Sequence, residues 1–208
     1  MKSLKNILTK MIVGTLFSII VLSASMTSVH ASTSPRIPGN HQLVYGIGNF
    51  NYYITDSVLN HQMSSTWETL IANAAYSWEV TGYGWNPLYA HRTYNYYNSN
   101  MDIYLSQQMV EGYIMGNVTY WTGTSPNATQ VNPQFSDWVF TEVTMFVNMY
   151  NWNDSNTMQR YIAHFFGQTF GLDNNSDSYS VMCSFYTPCY VYLPSQADHN
   201  GLNAIYNN

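Results

Sequence analysis

The segment from Asn156 to Phe170 constrains the fold most, because it carries the clearest helical pattern in the chain and ends at a glycine. Its apolar residues recur at helical spacing: Met158, Tyr161, Ile162, Phe165, Phe166 and Phe170. Gly171 favours a helix end. Residues four apart share a helix face, so His164 and Gln168 point the same way, and a sharp turn at Gly171 lets Asn174 approach both. We therefore expect these three polar side chains to converge.

Two further segments have the pattern of amphipathic helices. The first runs from Trp67 to Trp78 with one apolar face, made of Trp67, Leu70, Ile71, Ala74, Ala75 and Trp78. Ser65 and Glu68 have the spacing of a capping box, and Gly82 marks the predicted end. The second begins at Ser195, where Asp198 again has capping spacing, and its apolar residues are Leu202, Ile205 and Tyr206.

Four segments have the composition or alternation of strands. Phe50–Ile54 is aromatic and β-branched, and Met101–Ser106 alternates between apolar and polar residues. Asn117–Trp121 is a weaker strand candidate, whereas Val143–Met149 alternates clearly; Thr122–Asp137 between them is predicted to be a loop. A helix among early strands, further strands and helices at the end together predict an α+β fold.

The N-terminus has the pattern of a secretory signal peptide. Three lysines precede an apolar run from Met11 to about Ala24, and Val29-His30-Ala31 resembles a cleavage site. The run is too short for a membrane span, which argues against a retained anchor. We expect residues 1–31 to be removed, residues 32–43 to be a flexible lead-in and residues 44–208 to form one domain of a secreted, extracellular protein.

Charge and hydropathy exclude some partners. Beyond residue 31 the chain has three arginines, no lysine and eleven acidic residues. Nucleic acid and anionic membrane surfaces are therefore disfavoured as partners, because a basic surface is missing. No second apolar span follows the leader, so we expect no membrane span after signal removal.

The two cysteines, Cys183 and Cys189, lie six residues apart in a chain with a predicted secretory leader. A disulfide between them is the favoured interpretation and would contribute about 2 kcal/mol if it is unstrained. Two separate buried thiols are the alternative.

The region around the predicted convergence resembles the metzincin zinc endopeptidases, and the matrixin (peptidase M10-like) group in particular. The motif of that family is H-E-x-x-H-x-x-G-x-x-H followed by a Met-turn. The corresponding residues here are His164, Phe165, Gln168, Gly171 and Asn174, with Met182 in Ser180-Val181-Met182 at the Met-turn. The resemblance extends over most of the chain after the leader. It implies a twisted mixed sheet packed against two long helices, plus a C-terminal helix.

The residues that differ from the motif are those that carry the family's chemistry. In that family three histidines hold Zn²⁺, which activates a water molecule, and the glutamate is the general base. Here Gln168 and Asn174 replace two ligands, and Phe165 stands at the general-base position. Amide oxygens match Zn²⁺ poorly beside imidazole. We therefore expect no zinc or other cofactor, no catalytic residue, and a His164 that has only a structural role on a partly buried helix face.

The leading hypothesis is a catalytically inactive pseudopeptidase that binds a peptide or protein in the remaining cleft. The strand at Asn117–Trp121, with Val118 and Tyr120, resembles the family's edge strand that receives an extended peptide. One alternative is a zinc-dependent endopeptidase with an unusual ligand set, for which Asp173 is a candidate ligand. Another is a cell-surface or glycan-binding protein that uses exposed aromatic residues.

A calcium loop is a further possibility near the same turn. Asp173, Asn175 and Asp177 have the alternating spacing of such a loop, but Ser178 and Ser184 stand where glycine and glutamate are required. A polar turn after a helix explains the three residues equally well.

Overall fold

The computed structural model describes residues 34–108, 115–124, 126–147, 154–184 and 188–207. Its strands are β1 (Phe50–Ile54), β2 (Ala90–Thr93), β3 (Met101–Ser106), β4 (Gly116–Thr122), β5 (Thr129–Val131) and β6 (Phe140–Phe146). Its helices are α1 (Asp56–Leu59), α2 (Ser64–Glu79), α3 (Ser155–Thr169) and α4 (Gln196–Tyr206), and a 3₁₀ turn spans Tyr96–Asn98. The predicted α+β class is confirmed.

The six strands form one mixed sheet in the order β2-β1-β3-β6-β4-β5. β1, β2, β3 and β6 are parallel, whereas β4 is antiparallel to both β6 and β5. The predictions of β1 and β3 are confirmed to the residue. β6 begins earlier than predicted, at Phe140, and Met149 lies outside the described residues. The predicted loop at 122–137 contains β5, which has only three residues and no alternation that would reveal it.

The core lies between one face of the sheet and the helices α2 and α3. Alternate residues of β3, such as Ile103, are buried on the helix side. Aromatic rings fill the space between the layers; the ring centroids of Phe50 and Phe170 are 5.0 Å apart, and those of Trp78 and Phe170 are 5.6 Å apart. The indole N–H of Trp78 donates to the carbonyl of Ala163 at 2.8 Å, which fixes α2 against α3.

The start of α2 differs from the prediction. Met63 is the N-cap and no side chain caps the helix, so Ser65 lies inside the first turn. Glu68 accepts a hydrogen bond from Nη1 of Arg92 on β2 at 2.6 Å. The predicted capping box at Ser65 is therefore wrong, because the glutamate bonds a residue that is distant in sequence. The helix ends at Glu79, before Gly82.

The other helix ends follow their sequence patterns more closely. Asp154 caps α3 by accepting from the backbone N–H groups of Asn156 and Thr157. Ser195 and Asp198 form the predicted capping box of α4. The disulfide between Cys183 and Cys189 is also present as predicted, with the two Cα atoms 6.2 Å apart.

Residues 34–43 make several contacts that the prediction of a flexible lead-in did not anticipate. The N–H of Ser34 donates to the carbonyl of Ala197, and the N–H of Ile37 donates to the carbonyl of Gly171. The side chain of Leu43 is fully buried. This segment therefore packs against both α4 and the end of α3. None of the helices in the described part of the chain has both the length and the apolar character that a membrane span requires.

Gly167 marks the closest approach between α3 and its neighbours. A Cβ at this position would overlap Sδ of Met182 and would lie 2.9 Å from Cζ2 of Trp78. Both of those side chains are fully buried, so neither can move into solvent. The residue that resembles a Met-turn methionine thus packs directly beneath α3.

Gly167→Ala is expected to destabilise the protein by about 1–3 kcal/mol through overpacking. The direction of the change in stability is informative, because alanine is preferred over glycine by about 1 kcal/mol inside an unconstrained helix. Urea unfolding measures the change. Gly48→Ala is the matched control, since its new Cβ would find only one neighbour, at 3.6 Å, and should leave stability nearly unchanged. A neutral or stabilising Gly167→Ala would contradict the packing.

Candidate functional site

The three polar residues predicted to converge do meet. His164 and Gln168 lie one turn apart on α3, and Gly171, with a φ of 93°, turns the chain back after the helix. Nε2 of His164 is then 2.7 Å from Oδ1 of Asn174, and Nε2 of Gln168 donates to the same oxygen at 3.4 Å. The left-handed backbone at Gly171 explains this geometry, because a residue with a side chain is strained there.

His164 is 1% exposed and bonds through both ring nitrogens. Nδ1 lies 2.9 Å from the carbonyl oxygen of Val181, which can only accept, so Nδ1 carries the proton. Burial lowers the pKa of His164 and favours the neutral ring. Nε2 lies 2.7 Å from Oδ1 of Asn174, the oxygen to which Gln168 also donates. Each ring nitrogen therefore has a polar partner inside the protein.

Phe165 follows His164 on α3 and is buried. Its side chain is 1% exposed and lies against β4, where a Cβ on Gly116 would be 2.6 Å from Cζ of the ring. The Phe165 ring therefore joins the apolar core and offers no proton acceptor. Glycine at position 116 is required by this close approach.

Asp198 fixes the turn whose backbone carbonyl bonds His164. One of its oxygens, Oδ2, accepts from the backbone N–H of Val181 at 2.9 Å, and the carbonyl of Val181 bonds His164. The sequence identified Asp198 only through its capping spacing with Ser195 and Val181 only as part of the segment that resembles a Met-turn, so it predicted neither of these contacts. A local sequence pattern cannot reveal these contacts, because Val181 lies 17 residues from both His164 and Asp198.

The alternating residues after α3 bond to their own backbone. Oδ1 of Asp173 accepts from the N–H of Asn174 at 2.7 Å, Oδ1 of Asn175 accepts from Asp177, and Oδ1 of Asp177 accepts from Tyr179. These contacts are those of a polar turn, the second of the two interpretations that the spacing allowed.

The donor set at the convergence does not fit zinc. Zinc sites use three or four imidazole, thiolate or carboxylate donors, whereas this site has one imidazole and two carboxamides. Both imidazole nitrogens already bond within the protein. Among the described residues, no group of three His, Cys, Asp or Glu side chains could hold a metal ion.

β4 runs beside α3 but is only partly an edge strand. The hydroxyl of Tyr120 donates to the carbonyl of Gln168 at 3.2 Å, which ties the strand to the helix. Tyr120 also pairs with Val131 of β5, so its backbone is covered, contrary to the expectation of an open edge there. Within the described part of the chain, the outer side of residues 116–119, including Val118, has no strand partner.

The fold and site define an α+β domain in which one histidine and two carboxamides converge beside a partly open sheet edge. Comparison with known proteins adds no closer assignment: no protein-family model matches the chain, and no curated protein matches it significantly.

His164→Gln is expected to weaken the pH dependence of stability between about pH 7 and pH 5. The folded chain resists protonation of His164, whose pKa lies below its ordinary value of 6.5, whereas the unfolded chain accepts the proton. Stability is therefore lost as pH falls below about 6.5. Urea unfolding at several pH values measures the slope. Burial also lowers the pKa of His199. This residue contributes equally to the pH dependence of the wild-type protein and of the variant. An unchanged slope would contradict the buried neutral ring.

The double variant Gln168→His, Asn174→His is expected to bind zinc tightly, because it places three imidazoles where the present side chains meet. Phe165 is kept so that the core is not disturbed. Elemental analysis after dialysis measures the metal. The same double variant with His164→Gln is the matched control and should lose the zinc. A folded double variant that retains no zinc would show that the three positions do not converge as described.

Proposed function

We propose that the chain is a secreted, matrixin-like pseudopeptidase that binds an extended peptide or protein segment along β4 without cleaving it. The observation that carries the proposal is the convergence of His164 with two carboxamides, where both ring nitrogens are already bonded. A phenyl ring occupies the general-base position. The basic and apolar leader in residues 1–31 supports secretion.

The topology supports the matrixin-like part of the proposal. Four parallel strands, an antiparallel β4 and two long helices on one face fit the mixed sheet and helices that the resemblance implies. Met182 beneath α3 and the glycine turn at Gly171 fit its Met-turn and helix end. β5 is an addition to that pattern and covers the last three of the seven residues of β4.

The open edge of β4 supports the binding part. The N–H of Phe146 donates to the carbonyl of Met115, so these opposed residues form a hydrogen-bonded pair. Hydrogen-bonded pairs alternate along antiparallel strands, so Asn117 and Thr119 face β6, whereas the N–H and C=O of Val118 point outward. An extended peptide can add to such groups as a further strand.

Loss of metal chemistry need not remove this surface. Two contacts fix β4 beside α3, one between Phe165 and Gly116 and one between Tyr120 and Gln168. Neither contact uses the side chain of a residue at a ligand position of the motif, because Gln168 contributes only its backbone carbonyl. The edge is therefore preorganised by packing and one hydrogen bond, without a metal ion.

Val118→Pro is expected to weaken peptide binding about tenfold, because it removes an outward N–H while leaving the bonds to β6 intact. Binding is measured by selection from a phage-displayed library of unstructured decapeptides, followed by titration of the selected peptide. Val118→Thr keeps the N–H and the β-branched shape and is the matched control. Equal binding by all three proteins would place the peptide elsewhere.

Zinc content and turnover separate the pseudopeptidase from an enzyme with an unusual ligand set. The wild-type protein, purified without chelators, is expected to contain no stoichiometric zinc and to leave the selected peptide uncut. One tightly bound zinc ion per molecule at α3, together with cleavage that His164→Gln abolishes, would refute the pseudopeptidase and support the enzyme.

A further inference from the structure

A small cavity opens on the sheet face opposite α2 and α3. Side chains alternate along β3, so Asp102 points away from the helices while Met101 and Ile103 point toward them. The cavity has a volume of about 60 Å³, and its walls come from the 3₁₀ turn, from β3, from the turn after β4 and from the start of β6. This volume holds a few water molecules, so it fits a small head group but not a whole sugar ring.

Aromatic rings form the walls of this cavity. Tyr96 and Tyr97 have ring centroids 4.5 Å apart, and Tyr97 as a residue is 74% exposed. On the other side, Phe140 lines the cavity and stacks on Trp121, with the ring planes within 8° of parallel. Rings braced by other rings keep their faces in place and present a negative π surface.

The carboxylate of Asp102, at 2% exposure, also lines the cavity. Oδ1 accepts from the hydroxyl of Ser99 at 2.6 Å, and across the strand pair lies Glu142, a second carboxylate. Burial raises the pKa of Asp102 to about 6 and also raises the pKa of Glu142. Among the described residues no cation pairs with Asp102; Arg92 pairs with Glu68 instead.

A buried carboxylate without a counter-charge is unusual, since buried acids are almost always paired. The chain beyond its leader cannot supply a lysine, because it has none. A cation bound in the cavity would supply the charge that the described residues do not place beside Asp102. A cation between aromatic faces is attracted by their quadrupoles as well as by the carboxylate.

We propose that this cavity binds an alkylammonium group, with Asp102 as the counter-charge and with Tyr97 and Phe140 as aromatic walls. The group can belong to a lysine side chain or to a small quaternary amine, because both present a compact cation on an apolar stem. The site lies on the opposite sheet face from the α3 convergence, so it is independent of the proposed peptidase-like cleft.

Isothermal titration of the full chain at pH 7 with choline chloride and with Nα-acetyl-lysine methylamide tests the proposal. Saturable binding of at least one of them is expected, and the stronger of the two identifies the source of the cation. The neutral isostere of choline, 3,3-dimethyl-1-butanol, should bind at least about tenfold more weakly, because it keeps the shape but lacks the charge.

Two cavity variants and one control separate the charge from the rings. Asp102→Asn should weaken binding about tenfold or more without loss of stability at pH 7, since it removes a charge that burial disfavours. Phe140→Leu should weaken binding severalfold by removing the π face, whereas Tyr45→Leu alters an exposed tyrosine that does not line the cavity and should have no effect.

Three outcomes would overturn the proposal. These are an absence of saturable ammonium binding, equal binding of the neutral isostere, and unchanged binding by a folded Asp102→Asn.

Discussion

The carboxylate of Asp198 is the interaction on which the site depends. It is fully buried at the start of α4. It accepts from the hydroxyls of Ser34 and Ser180, from the N–H of Val181, and from both the N–H and the hydroxyl of Ser195. A buried charge is tolerated only when hydrogen bonds replace its hydration. One side chain thus joins the N-terminal segment, the turn beneath α3 and the start of α4.

The two buried aspartates of this protein differ in how well they are satisfied. Asp198 has donors on both oxygens, whereas Asp102 has a hydroxyl on one oxygen and a neighbouring carboxylate across the strand pair. Asp198 has the surroundings that a structural carboxylate requires, because fixed dipoles stabilise its charge. Asp102 has a charge that the described residues leave uncompensated. We therefore assign a ligand to Asp102 and only a structural role to Asp198.

Local pattern predicted much of the fold, and distant contacts account for most of the errors. The periodicity of α3 and the glycine after it predicted where His164, Gln168 and Asn174 would meet, since helix geometry fixes that result within one turn. Two segments with the same capping spacing behaved differently. Ser195 caps α4, but the partner of Glu68 is Arg92, 24 residues away, and no local pattern reveals that.

The α3 site is held together without a metal ion. Each polar group there has an internal partner: His164 bonds Val181 and Asn174, and Val181 bonds Asp198. Phe165 places an uncharged ring against Gly116 of β4. Removing an ion from a site that needs it leaves repelling or unsatisfied donors. Here the polar side chains satisfy one another, so α3 and the β4 edge are held together by contacts that require no metal.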